Sequence, residues 1–185
     1  MRSKTDIRRH IGAALLMTPD IRAEASAQLC AAIAGASAWR SAHSVAIFAP
    51  QPREPDVELL WMHGDGKSFA YPRVVEDRLD LFRVASLHEL APGALGVREP
   101  IAGIERAVVP ATLDLILVPG VAFTRGGERL GRGGGFYDRL LASLPAHTCK
   151  IGVCFEAQIL PELPVEAHDQ RINLLATERG LLPVA

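Results

Sequence analysis

From Gly127 to Leu140 the chain reads GERLGRGGGFYDRL, five glycines and three arginines in fourteen residues. Gly131, Gly133, Gly134 and Gly135 remove the side chains that would hold a ligand off the backbone, and they permit positive φ where a tight loop needs it. Main-chain N–H groups can then converge. The loop runs straight into a helix carrying Tyr137 and Asp138, so those amides add to a helix N-terminus, which favours an anion. Phosphate is the anion such a site suits. Arg129 and Arg132 supply planar, permanently charged forks for phosphoryl oxygens, and Asp138 offers a carboxylate able to hold magnesium beside them. Two common glycine motifs are excluded. A P-loop must end in Gly-Lys-Ser/Thr, and a dinucleotide fingerprint belongs at the first strand, followed by an acidic ribose anchor. On the glycines alone, a flexible surface turn is the competing reading.

The loop needs a scaffold. Ser3 to Met17 reads as a first helix, with Ile7, Ile11, Ala14 and Leu15 on one face and Lys4, Arg8 and Arg9 off it. Thr18 followed by Pro19 is a helix-start signal, opening a second helix that runs to Gly35. From there β-type and helical segments alternate: SVAIFAP at 44–50, a helical stretch from Val57, then SFAYPRV from Ser68 and RLDLFRV from Arg78. This rhythm predicts an α/β sheet. LDLILVPG from Leu113 is almost continuously apolar, as a strand covered on both faces at mid-sheet would be. A helix over Phe136–Leu144, a strand in CKIGVCF and a final strand over 171–177 complete the pattern. Pro and Gly cluster at 50–55, 91–103 and 161–164, which read as loops. With no internal repeat or low-complexity linker, residues 1–185 form a single domain.

Composition narrows the function classes. Hydrophobic residues make up 49% and charged residues 22%, so neither disorder nor a membrane protein is indicated. Twenty basic against 21 acidic residues leave a net charge of -1, which gives no global attraction to nucleic acid. Thr18, Pro19 and Asp20 cut short the apolar stretch after the basic N-terminus, so a cytoplasmic protein is expected. Cys30, Cys149 and Cys154 are odd in number and lack metal-type spacing; small core residues are expected.

The run LILVPGVAFTRGGERLGRGGGFYDRLL, from Leu115 to Leu141, resembles the signature of the 5-formyltetrahydrofolate cyclo-ligase (5,10-methenyltetrahydrofolate synthetase) family. The resemblance extends to Lys4 and Arg8, to FAPQPREPD at 48–56, to REP at 98–100 and to FEAQILPELPVEAHD at 155–169. It implies a three-layer α/β/α fold of the NagB/RpiA/CoA-transferase type with a mostly parallel central sheet. It also implies ATP- and Mg2+-dependent cyclisation of 5-formyltetrahydrofolate to 5,10-methenyltetrahydrofolate, with ADP and phosphate released, by a monomer.

By the same resemblance, Lys4 and Arg8 reach the ATP phosphates from one helix face. Arg129, Leu130, Gly131, Arg132, Gly133, Gly134, Gly135, Phe136 and Tyr137 form the nucleotide cradle. Arg132 and Tyr137 are its expected catalytic groups, and Arg132 through Phe136 also lie against folate. Asp138 and Asp169 are the implied magnesium ligands, Glu54 accepts hydrogen bonds from the reduced pterin, and Ala49 contacts substrate. Of Phe48, Trp61, Phe123, Phe136, Tyr137 and Phe155, only Phe136 and Tyr137 are taken as ring contacts. His168 is taken as an orienting or surface residue. Arg132 and Phe136 stand where many members carry tyrosine, and Pro55 beside Glu54 could alter how that carboxylate is aimed. The rival readings are a paralogue acting on another substrate, a sugar-phosphate isomerase-like enzyme, and a non-catalytic nucleotide- or folate-binding module.

Overall fold

Hydroxyl caps start the first two helices. Ser3 Oγ accepts from the Asp6 amide at 3.1 Å and Thr18 Oγ1 from the Ile21 amide at 3.4 Å, opening α1 (Lys4–Ala14) and α2 (Pro19–Gly35). Helix α1 stops short of the expected Met17 because Pro19 forces Thr18 into extended backbone. A short α3 (Ser37–Ser41) follows. The computed structural model describes residues 3–101, 103–166 and 169–184.

Strand β1 (Ser44–Ala46) enters the sheet, and the helical stretch expected from Val57 is a 3-10 helix over Val57–His63. β2 (Ser68–Val75) and β3 (Arg78–Val84) then pair antiparallel, because a two-residue connection with Glu76 at φ 57° can only reverse the chain. The expected strand–helix alternation therefore fails here. The loop expected over 91–103 contains a ribbon of β4 (Leu90–Pro92) and β5 (Arg98–Pro100), followed by β6 (Ala107–Val108). β7 (Leu115–Pro119) is followed by a second ribbon, β8 (Ala122–Phe123) with β9 (Arg129–Leu130), and then by α4 (Phe136–Ala142). β10 (Cys149–Val153), β11 (Leu174–Thr177) and β12 (Gly180–Pro183) finish the chain.

The main sheet has the order β12-β11-β10-β7-β1-β2-β3-β6. Its five inner strands, β11 through β2, run parallel, while β12, β3 and β6 are antiparallel additions at the edges. β7 sits mid-sheet, as its apolar run predicts. Its side chains alternate between two cores: Leu115 and Leu117 pack with Leu29, Ile33 and Trp39 of α2 and α3, while Ile116 and Val118 pack with Leu140 and Leu141 of α4. Helices thus cover both faces, giving an α/β/α arrangement with a mostly parallel sheet. Truncating Leu117, which is fully buried, to alanine would cost about 2–5 kcal/mol.

A third core explains where α1 goes. Ile7 and Ile11 pack on Ala122 and Leu130 of the β8–β9 ribbon and on Leu163, so the helix bearing Lys4 and Arg8 is anchored beside the glycine loop. Cys30 and Cys154 are buried and Cys149 half-buried, all three as free thiols. Burial pushes the Cys30 thiol up to about 12, consistent with an inert core residue. Among the described residues no helix is long and apolar enough to cross a membrane.

Candidate active site

β1 and β7 are adjacent and parallel, and ligand crevices in such sheets form outside the carboxyl ends of the strands. The chain leaving β1 carries Ala49 and Glu54; the chain leaving β7 passes through the ribbon into the glycine loop. Between them lies a cavity of about 600 Å³, a size suited to a small-molecule ligand. Its wall includes Lys4 and Arg8 from α1, Ala49, Glu54, Arg129, Leu130, Gly131, Arg132, Gly133, Gly134, Gly135, Phe136, Tyr137, Asp138 and Asp169. Every residue singled out for binding or catalysis in the sequence therefore meets in one place.

Three cations in this wall each hold a carboxylate. Arg129, with a side chain only 3% exposed, donates to Asp138 Oδ1 at 2.6 Å and to the Pro119 carbonyl at 3.3 Å. Its Nε is buried with no hydrogen-bond partner among the described residues. Arg132 donates to Glu54 Oε1 at 2.8 Å, and the other Glu54 oxygen accepts from the Gln51 amide at 2.9 Å. That amide fixes the aim of Glu54 despite the neighbouring Pro55. Lys4 lies 3.0 Å from Glu166 Oε1 and 3.2 Å from Asp169 Oδ2. Partial burial pulls the Lys4 ammonium down, but the two carboxylates outweigh it and hold it above the ordinary lysine range. Arg8 instead grips the loop itself, its Nε donating to the Gly131 carbonyl at 3.0 Å.

Backbone geometry explains the glycines. Gly133 has φ 110° and Gly135 φ 67°, values that only glycine adopts without strain. Gly135 is the N-cap of α4 and supplies no side-chain cap, so the first-turn amides are not satisfied by one. At seven residues α4 is shorter than expected, and Asp138 lies in its first turn. The Tyr137 phenol is pushed up by burial, with the nearby Glu54 charge adding to the effect, so it stays protonated at neutral pH and can only donate or accept a hydrogen bond.

Phe48, Pro72, Val74, Leu79, Leu95 and Val97 add apolar surface to the lining, and Glu99 adds a further carboxylate beside them. Phe48, set aside in the sequence as a core residue, is buried and also faces the cavity; Trp61, Phe123 and Phe155 do not line it. Leu95 is 71% exposed and has φ 57°, a strained conformation for a leucine at the cavity edge. Glu166 and this β2–β3 and β5 wall escaped sequence reading. Apolar residues in strands look alike whether they face a core or a ligand, and Glu166 has no motif of its own. His168 lies outside the described residues.

Among the described residues no group of three or more His, Cys, Asp or Glu is placed to cage a metal ion. Asp138 and Asp169 nonetheless offer hard oxygen donors on the cavity wall, and magnesium bound through phosphates needs only one or two carboxylates. The donor set fits that ion, with one qualification from the geometry: each carboxylate is now held by a cation, Arg129 or Lys4.

A sequence model of the 5-formyltetrahydrofolate cyclo-ligase family matches residues 1–178. The chain is 32% identical over 149 residues to the 5-formyltetrahydrofolate cyclo-ligase of Escherichia coli K12, covering 74% of this chain and 78% of that protein. It is 29% identical over 148 residues to the mouse (Mus musculus) protein of the same name, covering 73% of each. Among solved structures it is similar to the Aquifex aeolicus 5,10-methenyltetrahydrofolate synthetase, with TM-score 0.87 and 31% identity over 98% of this chain and 92% of that one.

Proposed function

The chain belongs to the 5-formyltetrahydrofolate cyclo-ligase family, a family of ligases, and from that premise we propose that it cyclises 5-formyltetrahydrofolate to 5,10-methenyltetrahydrofolate using ATP and Mg2+. The observation that carries this reading is convergence. Arg129, Arg132, Lys4 and Arg8, a glycine-built backbone and Glu54 share one cavity with apolar surface sized for a ring system.

The chemistry requires such a division. A formamide carbonyl is a poor electrophile and its oxygen a poor leaving group. ATP supplies the phosphoryl group that makes this oxygen leave as phosphate when the neighbouring folate nitrogen closes the ring, and magnesium neutralises charge on the phosphates. The chain's own residues position and stabilise. Arg129 is fixed in the wall and presents a charge that cannot drift; Arg132 and Lys4 bring charge to the phosphoryl oxygens, and Arg8 steadies the loop through the Gly131 carbonyl. The loop glycines let backbone amides approach. Asp138 and Asp169 are the carboxylates for the ion. Glu54 accepts from the N–H groups of the reduced pterin, Phe48 and Phe136 flank its ring, and Ala49 leaves room for it. Tyr137, protonated, donates a hydrogen bond near the reacting oxygen. No side-chain nucleophile is needed. The small-molecule substrate is handled by a monomer in the cytoplasm.

Mixing protein, 5-formyltetrahydrofolate and MgATP and following the methenyl chromophore tests the reading. The expected result is product only when ATP and Mg2+ are both present, reduced at least a hundredfold in Asp138→Asn. Asparagine is preferred to alanine there because it can still accept a hydrogen bond from the buried Arg129. ATP turnover without methenyl product would point to another substrate. Absence of both nucleotide binding and product would overturn the proposal.

A further inference from the structure

Three cation–carboxylate pairs in the cavity join groups assigned to ligands, but they differ in which ligands they join. Lys4–Asp169 and Arg129–Asp138 each link a phosphate-binding cation to a magnesium carboxylate, and both partners of each pair serve one ligand, MgATP. Arg132–Glu54 is different. Its cation belongs to the phosphate side and its carboxylate to the pterin side, so this pair bridges two ligands.

Both oxygens of Glu54 hold a partner within the chain. One oxygen accepts from the Gln51 amide at 2.9 Å and the other from Arg132 at 2.8 Å, and its side chain is only 11% exposed. Oε1 keeps a second lone pair, but with the side chain almost closed off from solvent a folate N–H approaching it competes with Arg132 for the same narrow access. Arg132 is able to leave: its side chain is 58% exposed, among the described residues its only hydrogen bond is to Glu54, and it sits between Gly131 and Gly133, with no flanking side chains to confine it. Arg129 has no such freedom, being 3% exposed and held by both Asp138 and the Pro119 carbonyl.

We infer that Arg132 makes folate recognition conditional on the nucleotide, because a bound polyphosphate draws its guanidinium off Glu54 and exposes the acceptor that the pterin needs. The inference rests on the ligase reading of the cavity. It follows from linkage that the two ligands bind with positive coupling, and that the factor is the same whichever is added first. Arg132 is then the switch between an anion-free cavity with Glu54 blocked and an anion-filled one with Glu54 open. A member of the family with an uncharged residue at this position would lack the interlock.

The test is titration calorimetry of the whole protein with 5-formyltetrahydrofolate, alone and with saturating Mg2+ and the β,γ-imido analogue of ATP, and with inorganic tripolyphosphate in place of the analogue. The expected result is a folate Kd tightened on the order of fivefold or more by either polyphosphate, with the analogue's own Kd tightened equally by folate. In Arg132→Met, folate binding without nucleotide should be tighter than in the parent and the coupling ratio should fall to about one. Arg132→Lys, which keeps a cation able to hold Glu54, should retain part of the coupling; loss of coupling through general damage to the loop would not discriminate between the two variants. Binding of both ligands without coupling, or coupling that survives intact in Arg132→Met, would overturn the inference while leaving the ligase reading in place. Failure of the parent protein to bind either ligand would overturn both.

Discussion

Arg129 and Arg132 lie three residues apart on one loop, and each holds a carboxylate, yet they are built for different work. Arg129 belongs to β9, is shut in at 3% exposure and forms part of the wall that α4 and the β8–β9 ribbon create. Arg132 stands at the glycine crest, 58% exposed, and among the described residues it is held by Glu54 alone. The base of the loop is core that happens to be charged; the crest is surface that happens to be ordered. A fixed charge preorganises a site without reorganisation during the reaction, whereas a movable one can report on what has bound.

Substitutions at the two arginines should separate those roles most sharply. Arg129→Met leaves the Asp138 carboxylate, 17% exposed, without its partner, and should destabilise the protein by about 3–5 kcal/mol in urea unfolding, as breaking a buried pair does. Arg132→Met should cost less, about 1 kcal/mol by the same measurement, because its guanidinium is 58% exposed and the Glu54 carboxylate left behind keeps the hydrogen bond from the Gln51 amide. Equal losses would erase the distinction. Alanine at Gly135, where φ is 67°, should cost about 1–2 kcal/mol through the left-handed backbone and lower kcat/KM by more than tenfold. The alanine methyl would meet Arg139 Nη1 at 2.8 Å, a side-chain end that can swing aside, so the effect is conformational rather than steric.

The smallest expected effect concerns pH. The Lys4 pair stabilises the folded chain, and since the folded ammonium is raised above the ordinary lysine value of 10.5, its contribution is complete below that pH and is lost as pH rises through the folded value. The stability gap between the parent protein and Lys4→Met should therefore narrow in alkaline solution. A gap that widened there would contradict the pairing with Glu166 and Asp169.

The same contrast explains what could be read from sequence. Motif residues carry their own signal: the glycine run, Thr18-Pro19 and the apolar β7 each point to one local structure, and the structure follows them. Residues that matter through tertiary placement carry none. Val74 and Leu79 read as strand residues and Val97 as part of a loop until the β2–β3 hairpin and the β4–β5 ribbon bring them around to the cavity. The hairpin itself was hidden because Glu76-Asp77 lacks the glycine or asparagine that would signal a two-residue turn. The pairing of Arg132 with Glu54, 78 residues apart, was equally invisible, since charge spacing along a chain does not show which ends of which strands adjoin.

The central claim is that the crest of the loop serves chemistry and its base serves structure, and one comparison reaches it directly: turnover of 5-formyltetrahydrofolate and MgATP by Arg132→Met, measured on protein whose unfolding midpoint is recorded in parallel. The expected result is a midpoint within a few degrees of the parent and methenyl formation reduced at least a hundredfold. A variant that turned over at the parent rate, or one that lost activity only because it had lost its fold, would contradict it.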